Sequence, residues 1–243
     1  MGRSHRHHCF MYHLSPSQEI VELVYPFWVL RNAQETIVID TGFSPELARA
    51  RELFDYHDPS AMLDAIGVDP AAVGTVILSH LHWDHFGVPE RFPNATFLVQ
   101  RDDVDYFTGR GALHPAASIA DAPTLARIPA LRASGRLREL DGNLALRDDL
   151  TLVRVGGHTP GSQITILDRP DGRVVFACDA SHLYGNFETR TPTTIIYNYD
   201  DYQRGFAAIA QAAHGGVWFA GHDPQILDRL TPVADGVHRL QLP

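Results

Sequence analysis

The sequence predicts an α/β sandwich, sheets covered by helices, and three observations predict it. Short β-branched runs recur along the 243 residues, and each ends in a polar or glycine-bearing turn. Helical stretches alternate with these runs, with proline near the start and glycine after the end. The strand candidates are continuous apolar runs, the pattern of strands buried on both faces.

In chain order, the first clear strand is 35–39, Glu-Thr-Ile-Val-Ile, which runs into Asp40-Thr41-Gly42. Helices are expected over 45–55 and 59–66, the second stopped by Gly67. Strand 75–78 leads into Ser79-His80, and strand 95–99 into Gln100. Residues 102–137 carry Pro115, Pro123 and Pro129 without a clean apolar period, and read equally as a cap over a site or as a surface excursion. Strand 150–155 leads into Gly156-Gly157-His158, strand 163–167 follows, and strand 174–177 precedes Asp179. An alanine-rich helix at 201–213 has Phe206 and Ile209 on one face, as a helix packed on a sheet requires, and strand 217–220 leads into Gly221-His222. No linker, repeat or low-complexity tract interrupts this order, so 1–243 reads as a single domain.

Composition narrows the function. A hydrophobic content of 44% suffices for a real core, and 29 acidic against 20 basic residues gives a surface that repels a phosphate backbone. Nucleic acid is therefore not an expected partner. Cys9 and Cys178 are too few and too far apart for a disulfide framework, which suits a reducing compartment. The basic N-terminus lacks the apolar run of a signal peptide, and no stretch reaches the ~18 apolar residues of a membrane span. A cytoplasmic location is expected.

The segment Ser79-His80-Leu81-His82-Trp83-Asp84-His85 sets four potential metal ligands within six positions, directly after an apolar strand. His158, Asp179 and His222 each follow a separate apolar run. In open α/β architecture ligands gather beyond the carboxyl ends of the strands, so four strand-end loops are expected to bring seven donors together. Imidazole and carboxylate donors suit borderline divalent metals, with zinc first and iron, manganese or cobalt also accommodated. Seven donors exceed one catalytic zinc site, which keeps about three protein ligands and an open position, so two ions are expected.

The order His-x-His-x-Asp-His, lone His, lone Asp, last His resembles the metallo-β-lactamase superfamily over nearly the whole chain. Asp40-Thr41-Gly42, the Gly-His-Thr-Pro-Gly turn at 157–161 and Gly221-His222 match its further motifs. The resemblance implies a metallo-β-lactamase-like αββα sandwich of two mixed sheets flanked by helices. It implies that His80, His82 and His158 hold one ion, that Asp84, His85 and His222 hold the second, and that Asp179 bridges them. Asp40 would orient a ligand histidine. Asp179-Ala180-Ser181-His182, the nearby Asn186-Phe187, Val99-Gln100-Arg101 and Gly221-His222-Asp223 are most similar to the N-acyl homoserine lactonases, the quorum-quenching branch. Two positions depart from that branch: His182 stands where these enzymes usually carry tyrosine, and Ser162 where many carry histidine.

The activity implied is hydrolysis of the lactone ring of N-acyl homoserine lactones, or a similar lactone, by a metal-bridging hydroxide. Asp84 is expected to carry the proton, and His182, or Tyr184 in its place, to donate a hydrogen bond to the oxyanion. The partner is a small-molecule lactone with an acyl chain, which needs an apolar groove. Trp83 and Phe86, which flank ligands, are its first candidates, with Phe27, Trp28, Phe54, Phe107 and Leu113 behind them. The aromatics Tyr25, Phe27 and Trp28 read as core packing, pocket lining or a homodimer face. The N-terminal His5, His7, His8 and His13 read as an adventitious metal binder or a mobile arm. A hydroxyacylglutathione-type thioester hydrolase shares the ligand pattern but needs cations for glutathione, and the C-terminal part offers Arg204, Arg229 and Arg239. A non-hydrolytic metal-binding or redox protein is the alternative from another class.

Overall fold

The computed structural model of the chain describes residues 1–109, 111 and 119–241. They form two compact units, one built mainly from residues 25–140 and the other mainly from 4–24 and 141–231.

The first unit is built on a five-stranded mixed sheet with the order Trp28–Arg31, Thr36–Ile39, Thr75–Ile77, Thr96–Gln100, Leu137–Leu140. The first pair is antiparallel and the rest are parallel, with Ile39 opposite Ile77 and Ile77 opposite Leu98. Val38, Val76, Phe97 and Val99 are buried with Leu63, Phe92, Val104, Phe107, Ile128 and Leu131 from the surrounding helices and loops. The helix expected over 45–55 is shorter, Pro45–Ala50, because Glu52 and Asp55 take left-handed backbone angles and Phe54 pairs with Arg3 instead. Pro59–Ala65 is capped by Asp58, whose side chain accepts from the Ser60 amide.

The stretch 102–137 is partly helical. Arg101–Thr108 buries Val104 and Phe107, and Pro123 and Pro129 begin the short helices Ala122–Leu125 and Ile128–Ala133. Proline lacks an amide hydrogen and fixes φ, so at a first turn it starts a helix instead of breaking one. Leu113 and Pro115 lie outside the described residues.

The second unit has a five-stranded sheet with the order Val217–Ala220, Gly172–Cys178, Gln163–Arg169, Leu150–Arg154, Leu144–Arg147. Only the first pair is parallel. The helix Tyr199–Ala212 starts two residues earlier than expected, because the Asn198 side chain caps it by accepting from the Asp201 amide. Tyr202, Phe206 and Ile209 recur at helical spacing and are buried with Ile164, Val175 and Ala177 of the sheet.

The N-terminal histidines are part of ordered structure, not an arm. His8 begins the helix His8–Met11 and bonds Glu19 O, while Asn186 Nδ2 donates to Met11 O at 2.8 Å and Thr194 N to Phe10 O at 3.1 Å. Among the described residues, no helix is long and apolar enough to cross a membrane.

Candidate metal centre

In the first unit the Thr75–Ile77 strand delivers the chain to a buried loop. Leu78 N still bonds Leu98 O at 2.9 Å, after which the chain turns. The turn is closed by Phe86 N to His82 O at 2.9 Å and by Gly87 N to Gly42 O at 3.0 Å. A Cβ at residue 87 would stand 2.4 Å from Trp83 O and 2.5 Å from Gly42 O, so only glycine fits there. Asp103, fully buried in the first turn of Arg101–Thr108, accepts from Leu81 N at 3.2 Å and fixes the loop from its other side.

His80, His82, Asp84 and His85 are all buried on this loop. His80 Nε2 lies 2.9 Å from His82 Nδ1, and His85 Nε2 lies 3.3 Å from an Asp84 oxygen. Asp40 supports them. Its Oδ1 accepts from Ser79 N at 2.7 Å, and its Oδ2 accepts from Ser79 Oγ at 2.8 Å and from His85 Nδ1 at 2.7 Å. A proton on Nδ1 of His85 leaves the Nε2 lone pair for a ligand. Asp40 takes this position at the end of its strand by adopting φ 64°, a left-handed angle that aspartate tolerates better than most residues.

In the second unit three imidazoles converge on Asp179. His158 Nε2 is 3.2 Å and His182 Nε2 3.1 Å from Oδ2, and His222 Nε2 is 2.9 Å from Oδ1. The outward nitrogens are held in turn: His158 Nδ1 at 3.1 Å from Ile195 O and His222 Nδ1 at 2.8 Å from Val24 O. Carbonyl oxygens only accept, so both Nδ1 atoms carry the proton and both Nε2 atoms face Asp179 with a lone pair. Asp179 leaves its strand through a bulge between Phe176 and Cys178, where Cys178 takes φ 45°. Gly157, at φ 88°, lies so close to the helix Tyr199–Ala212 that a Cβ there would stand 2.5 Å from Tyr202 N. Ser162 has a structural place: its Oγ accepts from Thr159 N at 3.0 Å and lies 2.8 Å from Thr159 Oγ1, which closes the turn after His158.

The donors fit a borderline divalent metal. Buried imidazoles with their protons fixed on the outer nitrogen, turned toward carboxylates, match the ligand arrangement that zinc takes. In each unit such lone pairs gather in a water-poor interior, where they repel one another without a cation or proton among them.

Burial pushes the His182 imidazole down to about 4, against the opposing charge of Asp179. Its Nδ1 lies 3.2 Å from the Tyr202 hydroxyl, which donates to Asp179 O at 3.1 Å. Tyr184 is not a substitute for it. The Tyr184 hydroxyl donates to Trp218 O at 3.2 Å, and burial raises the phenol to about 12, so it holds the end of its own unit together.

The apolar candidates divide. Phe86 is 1% exposed inside the core and supports the ligand loop from beneath, which removes it as groove lining. Trp83 is buried against Phe43 and Tyr25 with Arg51 over its ring at 4.3 Å, and so is also packed, not presented. Phe107, ranked behind them from sequence, is the aromatic whose ring meets a ligand, edge-on to His82 at 5.6 Å. Phe27 and Trp28 are half-buried, Phe27 against the core and Trp28 on the first strand of the sheet. Sequence reasoning missed Ser79, Asp103 and Tyr202. Only Tyr202 left a signal, four residues before Phe206 on the buried face of its helix.

Fixed-tautomer histidines grouped with aspartates at the strand ends of mixed, helix-flanked sheets define a metal-binding α/β protein. The chain belongs to the metallo-β-lactamase superfamily, whose family model matches residues 23–218. It is 28% identical over 227 residues to the N-acyl homoserine lactonase AttM of Azorhizobium caulinodans, covering 84% of this chain and 83% of that protein. To the N-acyl homoserine lactonase AiiA of Bacillus thuringiensis subsp. kurstaki it is 24% identical over 204 residues, 76% of either chain. Among solved structures, a quorum-quenching N-acyl homoserine lactone lactonase superposes with TM-score 0.78 at 20% identity, over 92% of this chain and 90% of the other. The dizinc quorum-quenching lactonase AidC superposes with TM-score 0.73 at 15% identity, over 92% of this chain and 85% of the other. The chain therefore has the metallo-β-lactamase fold.

Proposed function

We propose that the chain is a dinuclear metal-dependent lactonase that opens N-acyl homoserine lactones or a similar lactone, its two units acting as one catalytic domain. The supporting observation is the arrangement at Asp179, where imidazoles with fixed outer protons turn their lone pairs inward, in a chain whose curated relatives are lactonases. On the family pattern, His80, His82 and His158 hold one ion, Asp84, His85 and His222 the other, and Asp179 serves both. We read the ions as zinc. When bound, they supply a water activated at neutral pH and a Lewis acid for the ester carbonyl.

The protein's own residues do the rest. Asp40, Ile195 O and Val24 O keep His85, His158 and His222 in the tautomer a ligand needs. The Asp84 carboxylate takes a proton from the attacking water and returns it to the ring oxygen as the carbonyl carbon–oxygen bond breaks. Phe107 packs edge-on against His82 from within the core, as Phe86 supports the loop, so the half-buried Phe27 and Trp28 are the candidates left to meet an acyl chain. The thioester alternative is less supported, because of the three cations it could use Arg204 is paired with Asp201 and Arg229 stacks on Tyr184, leaving Arg239. A reducing cytoplasm suits the free thiols of Cys9 and Cys178, and light scattering tests for a homodimer.

The test is proton release followed by pH indicator on zinc- or cobalt-loaded protein. The substrates are N-acyl homoserine lactones of several chain lengths, a plain γ-lactone and S-lactoylglutathione, with Asp179→Ala as control. Ring opening that the control abolishes is the expected result. Turnover of the thioester alone overturns the lactonase reading.

A further inference from the structure

We propose that His182 is itself a metal ligand, its Nε2 joining Asp179 and His222 on one ion. The proposal rests on the dinuclear reading above and assigns residue 182 a different task from the oxyanion donor that its place in the motif suggested.

The geometry carries it. The ligand atoms of Asp179, His182 and His222 all lie within 4.8 Å of one another, and all three residues are buried. Bonds of about 2.1 Å meeting at 90° to 109° place neighbouring donor atoms roughly 3.0–3.4 Å apart. The 3.1 Å from His182 Nε2 to Asp179 Oδ2 is close to such an edge, and His222 Nε2 stands 2.9 Å from the carboxylate's other oxygen, Oδ1.

The proton arrangement agrees. His182 repeats the orientation of His158 and His222, with Nδ1 outward to an oxygen and Nε2 inward to Asp179. Its oxygen is the Tyr202 hydroxyl, whose single hydrogen goes to Asp179 O. A hydroxyl that gives its hydrogen to a carbonyl can only accept from His182, so the imidazole proton sits on Nδ1. The nitrogen facing Asp179 then has a lone pair and no hydrogen, which suits a cation and cannot serve a substrate oxyanion. The competing arrangement reverses the Tyr202 hydroxyl and places a hydrogen on Nε2, making His182 a hydrogen-bond partner of Asp179 alone.

Cobalt-loaded protein separates the two. In the proton NMR spectrum of a cobalt(II) site, each histidine bound through Nε2 contributes a strongly shifted Nδ1–H resonance that disappears in deuterium oxide. His182→Phe is expected to lose one such resonance, and at least tenfold in affinity for one of the two cobalt ions, while the other shifted resonances persist. Tyr202→Phe, which leaves every ligand in place, covers the case of a variant that does not fold. It is expected to broaden that same single resonance by faster exchange with water. An unchanged set of shifted resonances in either folded variant, with two cobalt ions bound, overturns the proposal and leaves the lactonase reading standing. Loss of the resonance in a protein that opens no lactone supports the ligand and overturns the lactonase. A wild-type chain that takes up no cobalt overturns both.

Discussion

Replacing Asp40 by Asn tests the support of the metal ligands at one atom. Asparagine tolerates the left-handed φ of 64° at this position, and its carbonyl oxygen can keep the bond from Ser79 N that Oδ1 makes at 2.7 Å. Its amide nitrogen then falls where Oδ2 stood, 2.7 Å from His85 Nδ1. Two donors cannot share that contact. His85 must move its proton to Nε2, the nitrogen meant for the ion, or rotate away. Loss of such an orienting partner weakens metal affinity roughly 10- to 100-fold, about 1.4–2.7 kcal/mol. Competition against a chromophoric zinc chelator at neutral pH measures it, and the weakening is expected in one of the two ions, the one bound by His85. Urea unfolding of the metal-free variant controls for a general loss of stability. Two ions bound with wild-type affinity would refute the reasoning that Asp40 sets the His85 tautomer.

Tyr184→Phe removes the hydroxyl bond to Trp218 O and is expected to cost about 1 kcal/mol in urea unfolding with kcat unchanged; a drop in kcat beyond tenfold would return Tyr184 to the chemistry. Asp58 caps the helix Pro59–Ala65 and is paired with Arg91; burial raises its carboxyl, but the bonds from Arg91 and the Ser60 amide outweigh this, so the folded value lies below the usual carboxylate value. A folded value below the unfolded one gives stability that is present above the unfolded value of about 3.9 and is lost as pH falls through the folded value. Wild type and Asp58→Ala should therefore differ by about 2 kcal/mol at pH 7 and converge only as pH falls through the folded value, below the unfolded value of about 3.9, and a difference independent of pH would count against the pairing.

The strands that position the ligands were legible because their β-branched runs are buried on both faces, as at 75–78 and 174–177, and the ligands because their residue types cluster where those runs stop. The edge strands Trp28–Arg31, Leu137–Leu140 and Leu144–Arg147 were not. All three are short and partly exposed; Leu137–Leu140 and Leu144–Arg147 carry Arg138, Glu139 and Arg147 within them, and the apolar Trp28-Val29-Leu30 follows Tyr25 and Phe27 in an aromatic stretch that reads as packing or pocket lining. The end of Pro45–Ala50 was hidden because the backbone reversal at Glu52 and the pairing of Phe54 with Arg3 depend on distant chain. Within the site, adjacency in sequence misled for Phe86. Next to His85 along the chain, it turns the opposite way, into the core. Ser79, Asp103 and Tyr202 support the ligands through bonds that only the tertiary register creates.

Two of the oriented imidazoles lean on main-chain oxygens, His222 on Val24 and His158 on Ile195. No side-chain substitution deletes a peptide carbonyl. Positions 24 and 195 can therefore drift among residues that keep the same backbone path, and the aim of those histidines is inherited regardless. His85 leans on a carboxylate, and that dependence confines position 40 to one residue type. A lineage exploring new substrates from this scaffold can vary positions 24 and 195 more readily than position 40, where the aim of His85 rests on a side chain.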